Sequence, residues 1–184
     1  MAKLIFAMSQ SVDGYVAAVD GALEPPLHGP PDAALFRHFT ELVGSLSGSL
    51  YGRRMYEVMR YWDTDQPEWT ALEHDFARLW RAHPKWVASR TLTSVGPNAT
   101  LVGRDVEAFA QKLKSEKDGV IAIAGPELAG SLTKAGLIDE YHLYVRPFVT
   151  GTGKPYFAGS RPALRLLTAD RVGEDAVRLI YERA

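Results

Sequence analysis

The stretch Val120–Phe157, VIAIAGPELAGSLTKAGLIDEYHLYVRPFVTGTGKPYF, limits what this chain can fold into more than any other. Val120–Ala124 is a short continuous apolar run, the pattern of a strand buried on both faces. Ala124-Gly125-Pro126 then turns the chain, and Pro126 suits the first position of a helix. Leu128, Leu132 and Ala135 follow at helical spacing, Gly136 is placed to stop the helix, and Glu140–Val145 reads as a second strand. Strand, glycine turn, helix and strand make a crossover unit, which demands a parallel sheet. Its turn offers free backbone N–H groups and a positive helix end, where a phosphate can sit. The same pattern also fits a crossover that binds nothing.

The rest of the chain is compatible with that unit. At 184 residues it is long enough for one domain, 1–184, with a substantial core. A net charge of -1 gives no electrostatic case for nucleic acid or an anionic membrane. The absence of cysteine excludes disulfides, thiolate metal sites and cysteine nucleophiles, and fits a cytoplasmic setting. The apolar run at the start is too short for a signal peptide, so a soluble intracellular domain is expected.

In chain order, Lys3–Met8 reads as a strand, Ser11–Gly14 as a turn and Tyr15–Ala18 as a short extended piece. Glu24 to Pro31 is a proline-rich loop. Asp32 to Val43 is helical, with Leu35, Phe36, Phe39, Leu42 and Val43 on one stripe. Ser49–Tyr51 is a strand and Arg53–Arg60 a helix; Tyr61–Trp69 is a loop, and a helix through Phe76 and Trp80 ends before Pro84. Lys85–Ser89 and Ala99–Val102 are strands. Asp105 caps a helix to Lys114, and Thr150–Lys154 is a glycine loop. Leu164–Val172 and Ala176–Tyr181 form a closing antiparallel hairpin. The expected class is α/β: a mixed, mostly parallel sheet with an antiparallel end and helices on both faces.

Several chemistries lack their residues. No G-x-G-x-x-G follows a strand, and Gly151-Thr152-Gly153-Lys154 has neither the glycine spacing nor the Ser/Thr of a phosphate loop. No two histidines have zinc-helix spacing, and His74 and His83 read as solvated; no metal is expected. No serine lies in a nucleophile elbow.

Two features point to a site. Arg53, Arg54 and Arg90 stand at strand ends, where ligands of open α/β sheets gather, although each alone could simply be solvated. Asp32 begins an amphipathic helix in line with Phe36 and Phe39. It is either an N-cap or an acid facing a dry cleft, where desolvation would raise its pKa and let it donate a proton. Trp62 and Trp69 either line a cleft mouth or anchor the core.

Ser11-Val12-Asp13-Gly14, Leu50–Glu57, Ser89-Arg90-Thr91-Leu92, Ala124–Leu128, Gly136–Glu140 and Pro147, Gly151, Gly153 and Phe157 together carry a family likeness. The chain resembles the dihydrofolate reductase-like superfamily, specifically the reductase domain at the C-terminus of bifunctional riboflavin-biosynthesis deaminase–reductases. The resemblance implies a three-layer fold, a homodimer and NADPH bound across the strand carboxyl edges. It implies that Ala124 and Gly125 meet the diphosphate, with Glu127 and Leu128 following them in the site. It puts Gly52, Arg53 and Arg54 on cofactor phosphates, and Ser89 and Arg90 beside the adenosine 2′-phosphate. Ala7, Asp13 and Gly14 fall at the nicotinamide end, where Asp13 would also touch substrate. Likeness to true dihydrofolate reductases makes Asp32 the substrate-orienting or proton-donating acid, with Phe36 walling the substrate; Trp62 joins them at the mouth. The implied activity is hydride transfer to a C=N or C=O of a small pterin- or pyrimidine-like molecule, as in 5-amino-6-(5-phosphoribosylamino)uracil reductase or dihydrofolate reductase. A dinucleotide-binding sensor or structural dimer without turnover is the alternative, and a flavin-binding module a weaker one.

Overall fold

The computed structural model describes residues 1–20, 32–103 and 105–184; the proline-rich loop expected over 24–31 lies outside them. The described chain runs β1 (Lys3–Gln10), β2 (Tyr15–Ala17), α1 (Ala33–Ser45), β3 (Gly48–Gly52), α2 (Arg53–Met59), α3 (Ala71–Ala82), β4 (Lys85–Ala88) and β5 (Ala99–Val102). It continues through α4 (Val106–Glu116), β6 (Val120–Ala124), α5 (Pro126–Lys134), β7 (Glu140–Val145), β8 (Lys154–Pro155), β9 (Leu164–Val172) and β10 (Ala176–Arg183). An eight-stranded sheet has the order β5-β4-β3-β6-β1-β7-β10-β9, and β2 and β8 form a separate ribbon. From β5 to β7 every neighbour is parallel, while β10 runs antiparallel to β7 and β9.

Alternation along the strands divides the core into two layers. Leu4, Phe6, Leu50, Ile121, Ile123 and Tyr141 point to the side that packs on α4 and α5, through Ala110, Leu113, Ala129 and Leu132. The intervening residues Ala7, Tyr51 and Tyr144 point the other way. There Tyr144 packs with Leu35 of α1, and Trp80 of α3 donates its indole N–H to the Tyr51 hydroxyl at 2.9 Å. Burying both faces explains why the central strands are apolar throughout.

Three details differ from expectation. A single 3-10 turn, Arg60–Asp63, continues α2 into the start of the expected loop over 61–69. Trp62 anchors that turn by packing on Phe36, Trp69 and Phe76. His83 is buried, not solvated: the last turn of α3 delivers it under β3, and its Nε2 lies 3.1 Å from the Ser49 hydroxyl. Finally, Lys154 leaves the glycine loop and opens β8, pairing with Ala17.

Candidate active site

The carboxyl ends of β4, β3, β6 and β1 lie side by side, and a cleft of about 460 Å³ opens across them. That volume is ordinary for a small-molecule or cofactor site. Each βα turn contributes to the wall. Gly52, Arg53, Arg54 and Met55 come from the β3–α2 turn, and Ser89, Arg90 and Thr91 follow β4. Gly125, Pro126, Glu127 and Leu128 come from the β6–α5 turn and the start of α5, Met8 lies near the end of β1, and Ala17 and Lys154 come from the ribbon.

The local reasons are readable one residue at a time. Gly125 sits at φ 112°, a conformation that a side chain would strain, and it starts α5 without a side-chain cap. Its backbone lies close to the other turn, since a Cβ there would be 3.6 Å from the Met55 Cβ and 3.8 Å from the Gly52 nitrogen. The Ser89 hydroxyl accepts from the backbone N–H groups of Thr91 (3.2 Å) and Leu92 (3.0 Å), which folds the loop that presents Arg90. Arg53 reaches Glu57 at 3.5 Å across one helical turn. Lys154 bonds the Glu127 carboxylate. That ammonium holds the Glu127 carboxyl below its usual range, against the upward push of burial, and Arg54 adds to the effect. Arg53, Arg54, Arg90 and Lys154 against Glu127 leave the cleft strongly positive, a setting for a polyanion.

The cleft thus gathers Gly52, Arg53, Arg54, Ser89, Arg90, Gly125, Glu127 and Leu128 of the expected cofactor residues. Ala7, Gly14 and Ala124 are not on its wall. Ala7 points to the α1 face, so its neighbour Met8 takes the place, and Ala124 packs with the cluster around Tyr51 and Tyr56. Gly14, at φ 88°, forms the turn between β1 and β2.

The residues expected on the substrate side, Asp13, Asp32, Phe36 and Trp62, do not line this cleft. Asp32 is the N-cap of α1: its carboxylate accepts from Leu35 N and from Glu174 N, both at 2.8 Å. Burial pushes its pKa up, but the backbone donors of Leu35, Glu174 and Asp175 and the charge of Arg146 outweigh this and lower it. An acid held ionised on structural donors is not poised to give up a proton near neutrality. Asp13 likewise spends its carboxylate on Thr150 N (3.1 Å) and Gly151 N (2.7 Å). Phe36 and Trp62 stack on one another, ring centres 6.0 Å apart, away from the cleft wall. Met8, Thr91 and Lys154 are wall residues that the sequence did not single out for the site. The alternation of β1 could have offered Met8, and Lys154 carried only the weak signal of its glycine-rich approach.

Among the described residues no group of three or more His, Asp or Glu is placed to hold a metal ion. No helix among them is long and apolar enough to cross a membrane.

The mostly parallel sheet with its antiparallel end, layered between helices on both faces, is a dihydrofolate reductase-like fold. Residues 2–178 match the RibD C-terminal domain, and the chain belongs to that family of reductase domains. It is 23% identical over 184 residues to the uncharacterised protein YyaP of Bacillus subtilis strain 168, spanning 97% of this chain and 94% of that one. A Shewanella sp. PV-4 protein, provisionally assigned to riboflavin biosynthesis, superposes with TM-score 0.72 at 23% identity, over 100% of this chain and 99% of that one. A Thermotoga maritima diaminohydroxyphosphoribosylaminopyrimidine deaminase/5-amino-6-(5-phosphoribosylamino)uracil reductase superposes with TM-score 0.69 at 13% identity. All of this chain, but only 57% of that longer one, is covered.

Proposed function

We propose that the chain is a cytoplasmic, NADPH-dependent reductase acting as one domain over residues 1–184. Its substrate would be a small pterin- or pyrimidine-like heterocycle reduced at a C=N or C=O carbon. The observation that carries this reading is the cationic cleft across four parallel strand ends, with Gly125 at one turn and Arg90 at another. The donor set fits a dinucleotide phosphate. Arg53 and Arg54 would hold phosphate oxygens, and the backbone at Gly125 admits close approach at the positive end of α5. Arg90, oriented by the Ser89 turn, would take the 2′-phosphate that separates NADPH from NADH. Met8, Met55 and Leu128 supply apolar wall that excludes water around a bound ring. When bound, NADPH would supply the hydride, and the chain supplies positioning. With Asp32 committed to capping α1, the proton comes from solvent.

The family also supports a homodimer, and exposed Leu166, Leu167 and Val177 on β9 and β10 support a contact at that sheet edge. Sedimentation of wild type against Leu166→Lys tests it: a dimer that the substitution dissociates is expected.

The cofactor reading is tested by nicotinamide fluorescence on titrating NADPH and NADH. Arg90→Ala is expected to weaken NADPH by about 10–100-fold, the loss typical of a charge-assisted contact, and to leave NADH unchanged. Failure of wild type to bind either dinucleotide defeats the proposal. Binding without oxidation of NADPH by any pterin or pyrimidine would favour the sensor reading.

A further inference from the structure

Lys154 enters the cleft by a route separate from the other cations. Arg53, Arg54 and Arg90 sit on the βα turns of the main sheet, whereas Lys154 is delivered by the ribbon. That delivery is built with some care. A Cβ at Gly153 would collide with the carbonyl oxygen of Ala17, so only glycine lets β8 approach β2 there. Asp13 holds the preceding loop through Thr150 N and Gly151 N. Just after β8, the buried Tyr156 hydroxyl donates to the Phe6 carbonyl at 2.6 Å, tying the ribbon to β1. The Lys154 side chain, only 18% exposed, ends on the Glu127 carboxylate in the first turn of α5.

Glu127 complements the helix dipole, yet it also stands where an incoming phosphate would meet a negative charge. Its side chain is 72% exposed, and an ion pair with one such open partner is held weakly enough to exchange. Position identifies which phosphate is concerned. β6, which leads to Glu127, is separated from β4, which leads to Arg90, by β3 alone. Two strand spacings put these anion positions roughly 10 Å apart, so Lys154 does not share a phosphate with Arg90.

We propose that Lys154 recognises the diphosphate bridge of a bound dinucleotide, with Glu127 as its resting counter-ion. On binding, the ammonium passes from the Glu127 carboxylate to the diphosphate, and Glu127 thereby tempers affinity. The inference rests on the dinucleotide reading and adds a residue and an exchange to it.

The test is fluorescence titration of NADPH and NADH with wild type, Lys154→Met, Lys154→Arg, Glu127→Gln and the Glu127→Gln/Lys154→Met pair. Lys154→Met should weaken both dinucleotides equally, by about tenfold, and flatten the dependence of binding on salt. Lys154→Arg should restore most of the loss, which guards against a defect of folding. Glu127→Gln should tighten both by a few-fold, and Lys154→Met should still cost affinity in that background. If Lys154→Met is harmless once Glu127 is neutral, Lys154 merely screens Glu127 and the proposal is wrong. It is equally wrong if NADPH alone is affected. Wild type that binds neither dinucleotide overturns the reductase reading and this inference together, an outcome distinct from the other two.

Discussion

Asp32 shows how one side chain can satisfy two readings of a sequence and only one of a structure. Its carboxylate serves Leu35 N at the start of α1 and Glu174 N in the β9–β10 turn, joining residues 142 positions apart. Gly173 permits the approach, since a Cβ there would collide with the same carboxylate. Asp32→Ala is therefore expected to destabilise the protein by about 1–2 kcal/mol, the usual cost of a lost N-cap, as read from urea unfolding. Because the folded pKa is lowered, the Asp32 contribution is present above the unfolded pKa and fades as pH falls through the folded value. Asp32→Asn should leave NADPH oxidation rates with an active substrate within about threefold, where loss of a true general acid would cost 10²–10⁴-fold. The residue type and helix position were legible in the sequence, but the choice between cap and acid was not. It depends on where a hairpin distant in sequence places one backbone N–H.

The elements were legible where a period runs long enough to be read. The crossover from β6 to β7 and the β9–β10 hairpin emerge from apolar runs and turn residues alone. A two-residue strand such as β8 has no period, and its existence depends on pairing with β2, so the placement of Lys154 was hidden. The end of α3 before Pro84 was legible, but the burial of His83 was not, for a related reason: polar residues there turn inward to satisfy the helix. Lys85 Nζ donates to the carbonyls of Trp80 (2.6 Å) and His83 (2.9 Å), and Asn98 Nδ2 donates to those of Arg81, Ala82 and His83. Asn98 also adopts φ 52°, which alanine tolerates poorly. Asn98→Ala should therefore cost about 1–3 kcal/mol of folding stability by denaturant titration. His83 beside this cap has its pKa pushed down to about 4, by burial first and the Lys85 charge second. Its Nδ1 has no hydrogen-bond partner among the described residues, so the neutral ring with Nε2–H toward Ser49 is the favoured form. Between pH 6.5 and 4 the unfolded chain binds a proton that the folded one refuses. Stability should then fall with pH across that window by about 2–3 kcal/mol. His38 and His142 are lowered too and act in the same direction. The difference between wild type and His83→Gln isolates this one ring, and equal pH slopes in the two would sink the idea.

At the scale of the whole molecule, the cleft exists only when the sheet is assembled. Met8, Arg53, Arg90, Gly125 and Lys154 come from five separate segments, and no subset adjacent in sequence reproduces the wall. A ligand that needs this wall binds the folded state and not the unfolded chain, so binding adds directly to stability. NADPH at a hundred times its dissociation constant should contribute about 2.7 kcal/mol. For a chain of this length that corresponds to a rise of roughly 5–10 °C in the unfolding midpoint. NADH should give a smaller rise at the same concentration, because it lacks the group that Arg90 would meet. In Arg90→Ala the two shifts should converge while the midpoint without ligand stays near that of wild type, since the exposed Arg90 side chain makes no hydrogen bond or ion pair with another described residue. Raising the salt concentration should shrink both shifts, because the attraction comes from cations partly open to solvent. If the midpoint moves equally with both dinucleotides in wild type, Arg90 does not discriminate between them. The cleft would then select for the diphosphate alone, through the turn at Gly125 and the cations around it.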